Sequence, residues 1–186
     1  MAKDTRQNMI ERAAILLATK GLQGTSFSEV LGASGAPRGS LYYHFPDGKD
    51  ELVLEAIRHA GSNALEAMKS ARGRPADEVA QLFLSLWRTL LVRTEFHAGC
   101  AVAAVTIASS SARVVTEAAS IFRSWRQTLG DLLAEGGIPF DRAPAMAATL
   151  IAASEGATIV SRAERNLEPF DLVAEETVRA VRAAIA

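Results

Sequence analysis

Apolar residues return every three or four positions through most of this chain, a period that belongs to helices rather than strands. Between Thr5 and Lys20, the residues Ile10, Ala13, Ala14 and Leu17 share one face, and Gly21 supplies a C-terminal stop. Ser26 offers an N-cap to a short helix carrying Phe27, Val30 and Leu31. Ser34-Gly35 reads as a turn. Pro37 suits the first position of a helix about two turns long that ends near Phe45-Pro46. Asp47 can cap a longer helix to about Arg72, and Gly73-Arg74-Pro75 breaks it. Val79, Leu82, Phe83, Leu86, Leu90 and Leu91 mark the next helix. Gly99 precedes an apolar stretch from Cys100 to Ala108, and Ser109-Ser110-Ser111 leads into a helix over about 112–134. After Gly136-Gly137-Ile138-Pro139, two last helices are expected over about 141–165 and 169–185. The pattern predicts an all-α fold of about nine helices.

Composition narrows the class. The chain has 186 residues, 49% of them hydrophobic and 22% charged, enough for a buried core without staples. Cys100 stands alone, which precludes an intrachain disulfide and suits a reducing cytoplasm. No membrane span is expected from the apolar runs, and the first residues lack an apolar signal core. Net charge is -1, but residues 1–49 carry six Lys/Arg against four acids and the remainder 14 against 17. A small basic head on an acidic body allows DNA contact over a limited face and argues against wholesale wrapping of nucleic acid.

Candidate chemistry concentrates between Thr25 and Phe45. A short helix, a glycine turn and a second short helix have the layout of a helix-turn-helix, whose second helix enters a major groove. Leu41 and Phe45, four apart, can pack inward on Val30 and Phe27, leaving Arg38 and Tyr42 on another face. Tyr42 and Tyr43 lie about 100° apart on a helix, so both cannot be core. Gly39 within so short a helix costs roughly 1 kcal/mol against alanine, a cost explained by close approach of another surface. Lys49 sits in the first turn of the following helix, where the dipole disfavours a cation unless a phosphate docks there. Tyr42, His44 and Lys49 together suggest a phosphate-binding edge.

Gly21, Thr25-Ser26-Phe27, Ser34-Gly35 and, above all, Gly39-Ser40-Leu41-Tyr42-Tyr43-His44-Phe45 followed by Lys49-Asp50-Glu51-Leu52 resemble the TetR family of bacterial regulators. Gly48 departs from the family pattern as an apparent extra residue. With Phe45-Pro46-Asp47-Gly48-Lys49 and Gly99-Cys100, the chain looks like the LmrA/YxaF-type branch. The resemblance implies that Ser26 caps its helix and touches a phosphate. Arg38 and Ser40 would face base edges, with Arg38 able to bond a guanine bidentately. Tyr43 would meet bases or the sugar edge, while Tyr42, His44 and Lys49 would hold phosphates. Pro37 and Gly39 complete the expected DNA-binding set.

The resemblance also implies a DNA-binding domain over 1–46 and a ligand-binding and dimerisation domain over 47–186. Phe83, Trp87, Phe96, His97, Cys100, Phe122, Trp125 and Arg126 are the pocket candidates for an apolar or amphipathic ligand, with ordinary core as the alternative. Met146, Leu150, Ile151, Ser154, Ala157, Thr158, Val178 and Val181 are the candidates for a dimer surface, again with intrachain core as the alternative. No nucleotide-binding loop, nucleophile elbow or zinc spacing is present, so neither enzyme activity nor a cofactor or metal is expected. The resulting expectation is a cytoplasmic, homodimeric repressor that binds a palindromic operator in double-stranded DNA and is released by a small-molecule inducer.

Overall fold

The computed structural model describes residues 2–185. Among them are nine helices and no strand: α1 (Ala2–Lys20), α2 (Phe27–Ser34), α3 (Arg38–His44), α4 (Lys49–Lys69), α5 (Ala76–Arg93), α6 (Ala101–Ala108), α7 (Ala112–Glu135), α8 (Ala143–Glu164) and α9 (Glu168–Arg182). The all-α expectation holds. Two local details differ from the sequence reading. Pro37 is the N-cap of α3 rather than its first residue. The start of α4 is not capped by the Asp47 side chain; instead the Glu51 carboxylate reaches back to accept the Asp47 N–H at 3.0 Å.

Packing divides the chain into two units, Met1–Ser62 with Cys100–Ile121, and Asn63–Gly99 with Phe122–Ala186. The break after Ser62 falls inside α4, the helix that starts just after residue 46. The first unit is discontinuous because α6 packs on α1, and because α4 and α7 are tied together inside it.

In the first unit, α1 presents Met9, Ala13 and Leu17 to the interior, where Val30, Leu41 and Phe45 are also buried. Gly21 takes φ +70°, which ends α1, and the buried Thr25 hydroxyl donates to the Gly21 carbonyl at 2.8 Å. Gly35 makes the turn after α2 with φ +67° and donates its N–H to Leu31 at 2.9 Å. Those left-handed values are where glycine avoids a Cβ penalty. Asn8 anchors the turn by donating to the Ser34 carbonyl at 2.9 Å. Arg58 of α4 forks onto Glu117 of α7, with Nε to Oε1 at 2.9 Å and Nη2 to Oε2 at 2.8 Å. A Cβ on Gly61 would lie 2.8 Å from Ile121 Cγ2, so these two helices approach too closely there for a side chain.

In the second unit, α5, α8 and α9 pack on one another around Val79, Phe83, Leu150, Phe170 and Val181. Gly136 leaves no room for a Cβ, which would sit 2.5 Å from the Ala76 nitrogen, and its carbonyl accepts that N–H at 2.9 Å. Ser161, fully buried, accepts the Phe170 N–H at 3.0 Å and so satisfies a donor in the first turn of α9. Helix α8 is long and apolar enough to cross a membrane by length and composition alone, a test that the core helix of a soluble protein also passes. Its apolar character is spread around both faces: one is buried against α5 and α9, and the other is exposed.

The Arg58 guanidinium, by hydrogen bonding and charge, holds the Glu117 carboxyl below its ordinary value of 4.5. A depressed carboxyl stabilises the fold above the unfolded-state pKa and loses that contribution as pH falls through the folded one. The pair is partly exposed, so its contribution is about 1 kcal/mol or less. Glu117→Gln is expected to lower the melting temperature at neutral pH, with the gap to the parent closing as pH falls below the carboxylate range. Thermal melts across pH check this.

Candidate nucleic-acid interface

Burial of Leu41 and Phe45 sets the orientation of α3. With those two inward, the helical period turns Gly39 and Tyr43 outward and Tyr42 to the flank, and all three are exposed, as is Arg38 at the first position of the helix. Tyr42 and Tyr43 retain 71% and 78% exposure, high for such large rings. Tyr42 is braced edge-on by Phe27 of α2, with ring centroids 5.8 Å apart and planes at 89°. Tyr43 stands edge-on to His44 at 5.0 Å. Phe27 is therefore the half-buried support of an exposed phenol, rather than a partner for Leu41 and Phe45. Arg6 covers the Phe45 ring at 5.1 Å, closing the inner side.

The N-terminus of α3 has no side-chain cap. The Ser40 hydroxyl turns back to donate to the Pro37 carbonyl at 2.6 Å, leaving its lone pairs to accept. Arg38 has no acidic partner among the described residues. A Cβ at Gly39 would meet nothing within 4 Å, so no crowding inside this chain calls for glycine there. The Ser26 side chain accepts the Glu29 N–H at 3.2 Å, as a cap should. Lys49 is placed differently from the expectation. Its Nζ donates to the Leu22 carbonyl at 2.9 Å, tying the start of α4 to the loop after α1. The half-buried ammonium is thus first a brace, which also relieves the unfavourable position at a helix start.

The expected ligand residues lie in different surroundings. Phe83 and Trp125 are core. Trp87 and Phe122 pack edge-on against Trp125, with centroids at 6.5 and 5.4 Å, which makes an aromatic cluster. Phe96 lies in a left-handed turn and His97 is exposed beside it. Cys100 belongs to the other unit, where its sulfur accepts the Ala103 N–H at 3.3 Å and caps α6. Arg126 lines a groove of about 490 Å³ between α7 and α8, with Arg123, Phe140, Pro144 and Ala148. No metal-binding cluster of His, Cys, Asp or Glu occurs among the described residues.

The expected dimer stripe lies largely inside its own chain. Leu150, Ile151, Ser154, Ala157, Thr158, Val178 and Val181 are buried within a single chain, and Met146 is half-buried. They face α5, α8 or α9 of their own chain and offer little surface to a second copy. The opposite face of α8 carries Ala145, Ala148, Ala152, Gly156, Ile159 and Val160, all exposed, with Ile159 at 56% and Val160 at 44%. Gly156 sits mid-helix with open space around its missing Cβ. That glycine was the sequence signal passed over, since an exposed helical glycine costs about 1 kcal/mol against alanine unless something must come close.

Residues 9–56 match the family of bacterial regulatory proteins, tetR family. Residues 75–176 match the C-terminal domain of LmrA/YxaF-like transcriptional regulators. An uncharacterised HTH-type transcriptional regulator of Mycobacterium tuberculosis is 35% identical over 90% of this chain and 89% of its own. The HTH-type transcriptional regulator LmrA of Bacillus subtilis is 29% identical over 90% and 91%. The crystal structure of a TetR transcriptional regulator from Chloroflexus aurantiacus superimposes with a TM-score of 0.83 at 23% identity, covering 99% of this chain and 97% of that one. The helix-turn-helix and the two family matches lead to one conclusion: this chain belongs to the TetR family of DNA-binding transcriptional regulators, in its LmrA/YxaF-like branch, and is not an enzyme.

Proposed function

We propose that the protein is a cytoplasmic homodimeric repressor that reads a palindromic operator with α3 and releases it when a small molecule binds. The outward face of α3 carries this reading: Arg38, Tyr42 and Tyr43 are large, exposed, and braced from behind, beside a glycine that no neighbour in the chain requires. Arg38 reads a guanine edge, Tyr43 meets bases or sugar, and Tyr42, His44 and the Ser26 cap hold phosphates, with Pro37, Gly39 and Ser40 shaping the close approach. Lys49 keeps donors to spare for a phosphate while bracing Leu22.

The second copy docks on the exposed face of α8. Its small residues and the open space at Gly156 allow close approach of a helix, and the α7–α8 groove continues that surface through Ala145 and Ala148. Leu172 of α9, 61% exposed, extends its apolar area. A four-helix dimer contact of this kind places two reading helices under one twofold axis, as a palindrome requires. The inducer, an apolar or amphipathic molecule, enters by displacing the cluster of Trp87, Phe122 and Trp125. A coupling of about 1–3 kcal/mol then suffices to weaken operator binding some 5- to 150-fold.

Three outcomes are expected. Arg38→Ala loses about 1–3 kcal/mol of discrimination at one base pair per half-site, whereas Tyr42→Phe weakens all duplexes alike; competition binding with point-mutated duplexes separates the two. Gly39→Ala raises the melting temperature through helix propensity yet weakens DNA binding, opposite signs that a purely structural glycine would not produce. Gly156→Leu leaves the helical content of the chain intact but yields monomers by sedimentation, with operator affinity reduced; a variant that stays dimeric with full affinity removes α8 from the interface.

A further inference from the structure

Within the first unit, charged side chains alternate in sign along a path that closes on itself. The Arg6 guanidinium of α1 lies over the buried Phe45 ring at 5.1 Å, and its Nη1 stands 3.6 Å from Oε2 of Glu55 on α4. The other oxygen of Glu55 accepts from Arg58 Nη1 at 3.3 Å. Arg58 in turn forks onto Glu117 of α7. One turn earlier on α7, Arg113 adds its charge to the Glu117 carboxylate, and its Nη1 stands 3.7 Å from Oδ2 of Asp47. Asp47 comes two residues after Phe45, so the path returns to the segment where it began. Arg6, Glu55, Arg58, Glu117, Arg113 and Asp47 all belong to the same unit, and none of them lies on α3.

The segment bracketed by this ring is the one in which the reading helix ends. Helix α3 runs to His44; the Phe45 N–H then donates to the Leu41 carbonyl at 2.8 Å, and the Gly48 N–H to the Phe45 carbonyl at 3.0 Å. A helix this short does not persist by its own hydrogen bonds, so its end has to be held by other elements. Arg6 holds it at the Phe45 ring and Arg113 at the Asp47 carboxylate. A single exposed ion pair contributes little, but a bidentate fork and a network of shared charges are the arrangements that do contribute. Glu55 is shared by two arginines and Arg58 by two carboxylates. Removing one charge therefore unbalances its neighbours along the path.

We infer that Arg113 and Glu117, near the start of α7, are positioning residues for DNA reading: with Asp47, Arg58, Glu55 and Arg6 they close a ring of alternating charges that fixes the end of α3. The inference rests on the reading of duplex DNA by α3 proposed above. It carries a sign of its own. An acid that merely lies near the DNA repels phosphate, so its removal tightens binding. An acid that belongs to the ring holds the reading helix, so its removal weakens binding.

The test uses the full-length protein, well below its melting temperature, with the duplex that the parent selects from a random pool. Glu117→Gln and Asp47→Asn keep the shape of the side chain and remove one negative charge each; both are expected to weaken binding about threefold or more. Arg113→Ala weakens it to a similar degree, Arg113→Lys restores most of the loss, and Asp47→Asn adds little in the Arg113→Ala background, the non-additivity of one shared contact. The slope of log affinity against log salt is expected to stay at the parent's value in Arg113→Ala; a slope reduced by about one marks a direct phosphate contact and overturns the inference. Amide hydrogen exchange at Phe45 and Gly48 quickens in the same variants, while exchange at Gly35, in the turn before α3, does not. Tighter or unchanged binding by Glu117→Gln and Asp47→Asn, unchanged exchange at Phe45 and Gly48, or equal quickening at Gly35 overturns the inference. A parent protein that selects no duplex overturns the proposed function instead, and the exchange result then decides whether the ring holds the end of α3.

Discussion

Everything in the first unit turns on two apolar side chains of a seven-residue helix. Leu41 and Phe45 are fully buried, and α3 is too short to hold itself together in water. Their burial both secures the helix and fixes its rotation. Once they point inward, the 100° step between residues turns Gly39 and Tyr43 outward and Tyr42 to the flank, while Arg38 is exposed at the first position of the helix. The supporting parts serve that orientation. Gly35 turns the chain between α2 and α3, Phe27 steadies the Tyr42 ring, and Lys49 and Asn8 pin the loops on either side. A regulator needs this rigidity because a base edge is read at hydrogen-bond precision, whereas its surface charges can be spread loosely.

The second unit meets a different constraint. Helix α8 has apolar or small residues nearly all round, and only one side of it is covered within a single chain. The inner side mixes Leu150 and Ala157 with Ser154, Thr158 and Ser161, whose hydroxyls sit deep in the packing, where Ser161 secures the start of α9. The outer side is built from alanine, glycine and two β-branched residues, a surface shaped for close approach. Substitutions on the inner side therefore act on the stability of the chain.

Helices were legible from the sequence because their signals are local: apolar spacing, the glycines at 21 and 35, and the Ser26 cap each act within a turn or two. The reading motif was legible for the same reason. What was not legible depended on partners distant in sequence. The sequence offers Lys49 as a phosphate ligand and does not show that its Nζ also donates to a loop carbonyl 27 residues earlier. On α8 both faces carry a plausible stripe, and periodicity cannot say which one its own chain consumes. The aromatics Phe83, Trp87 and Trp125 recur at helical spacing whether they line a cavity or fill a core, and in this fold all three are buried, with Trp87 edge-on to Trp125. The left-handed turn at Glu95 and Phe96 has no glycine at those positions to announce it, and the Arg162 side chain that donates to the Phe96 carbonyl stands 66 residues further on.

The central claim is that the exposed face of α3 reads double-stranded DNA. Its most direct test is selection of bound sequences by the intact protein from a random duplex pool, repeated over a range of salt concentrations. The account predicts enrichment of a single inverted repeat, with half-sites a whole number of turns apart, and an affinity that falls linearly in log-log form as salt rises. Binding without any enriched sequence, or with no dependence on salt, would contradict it.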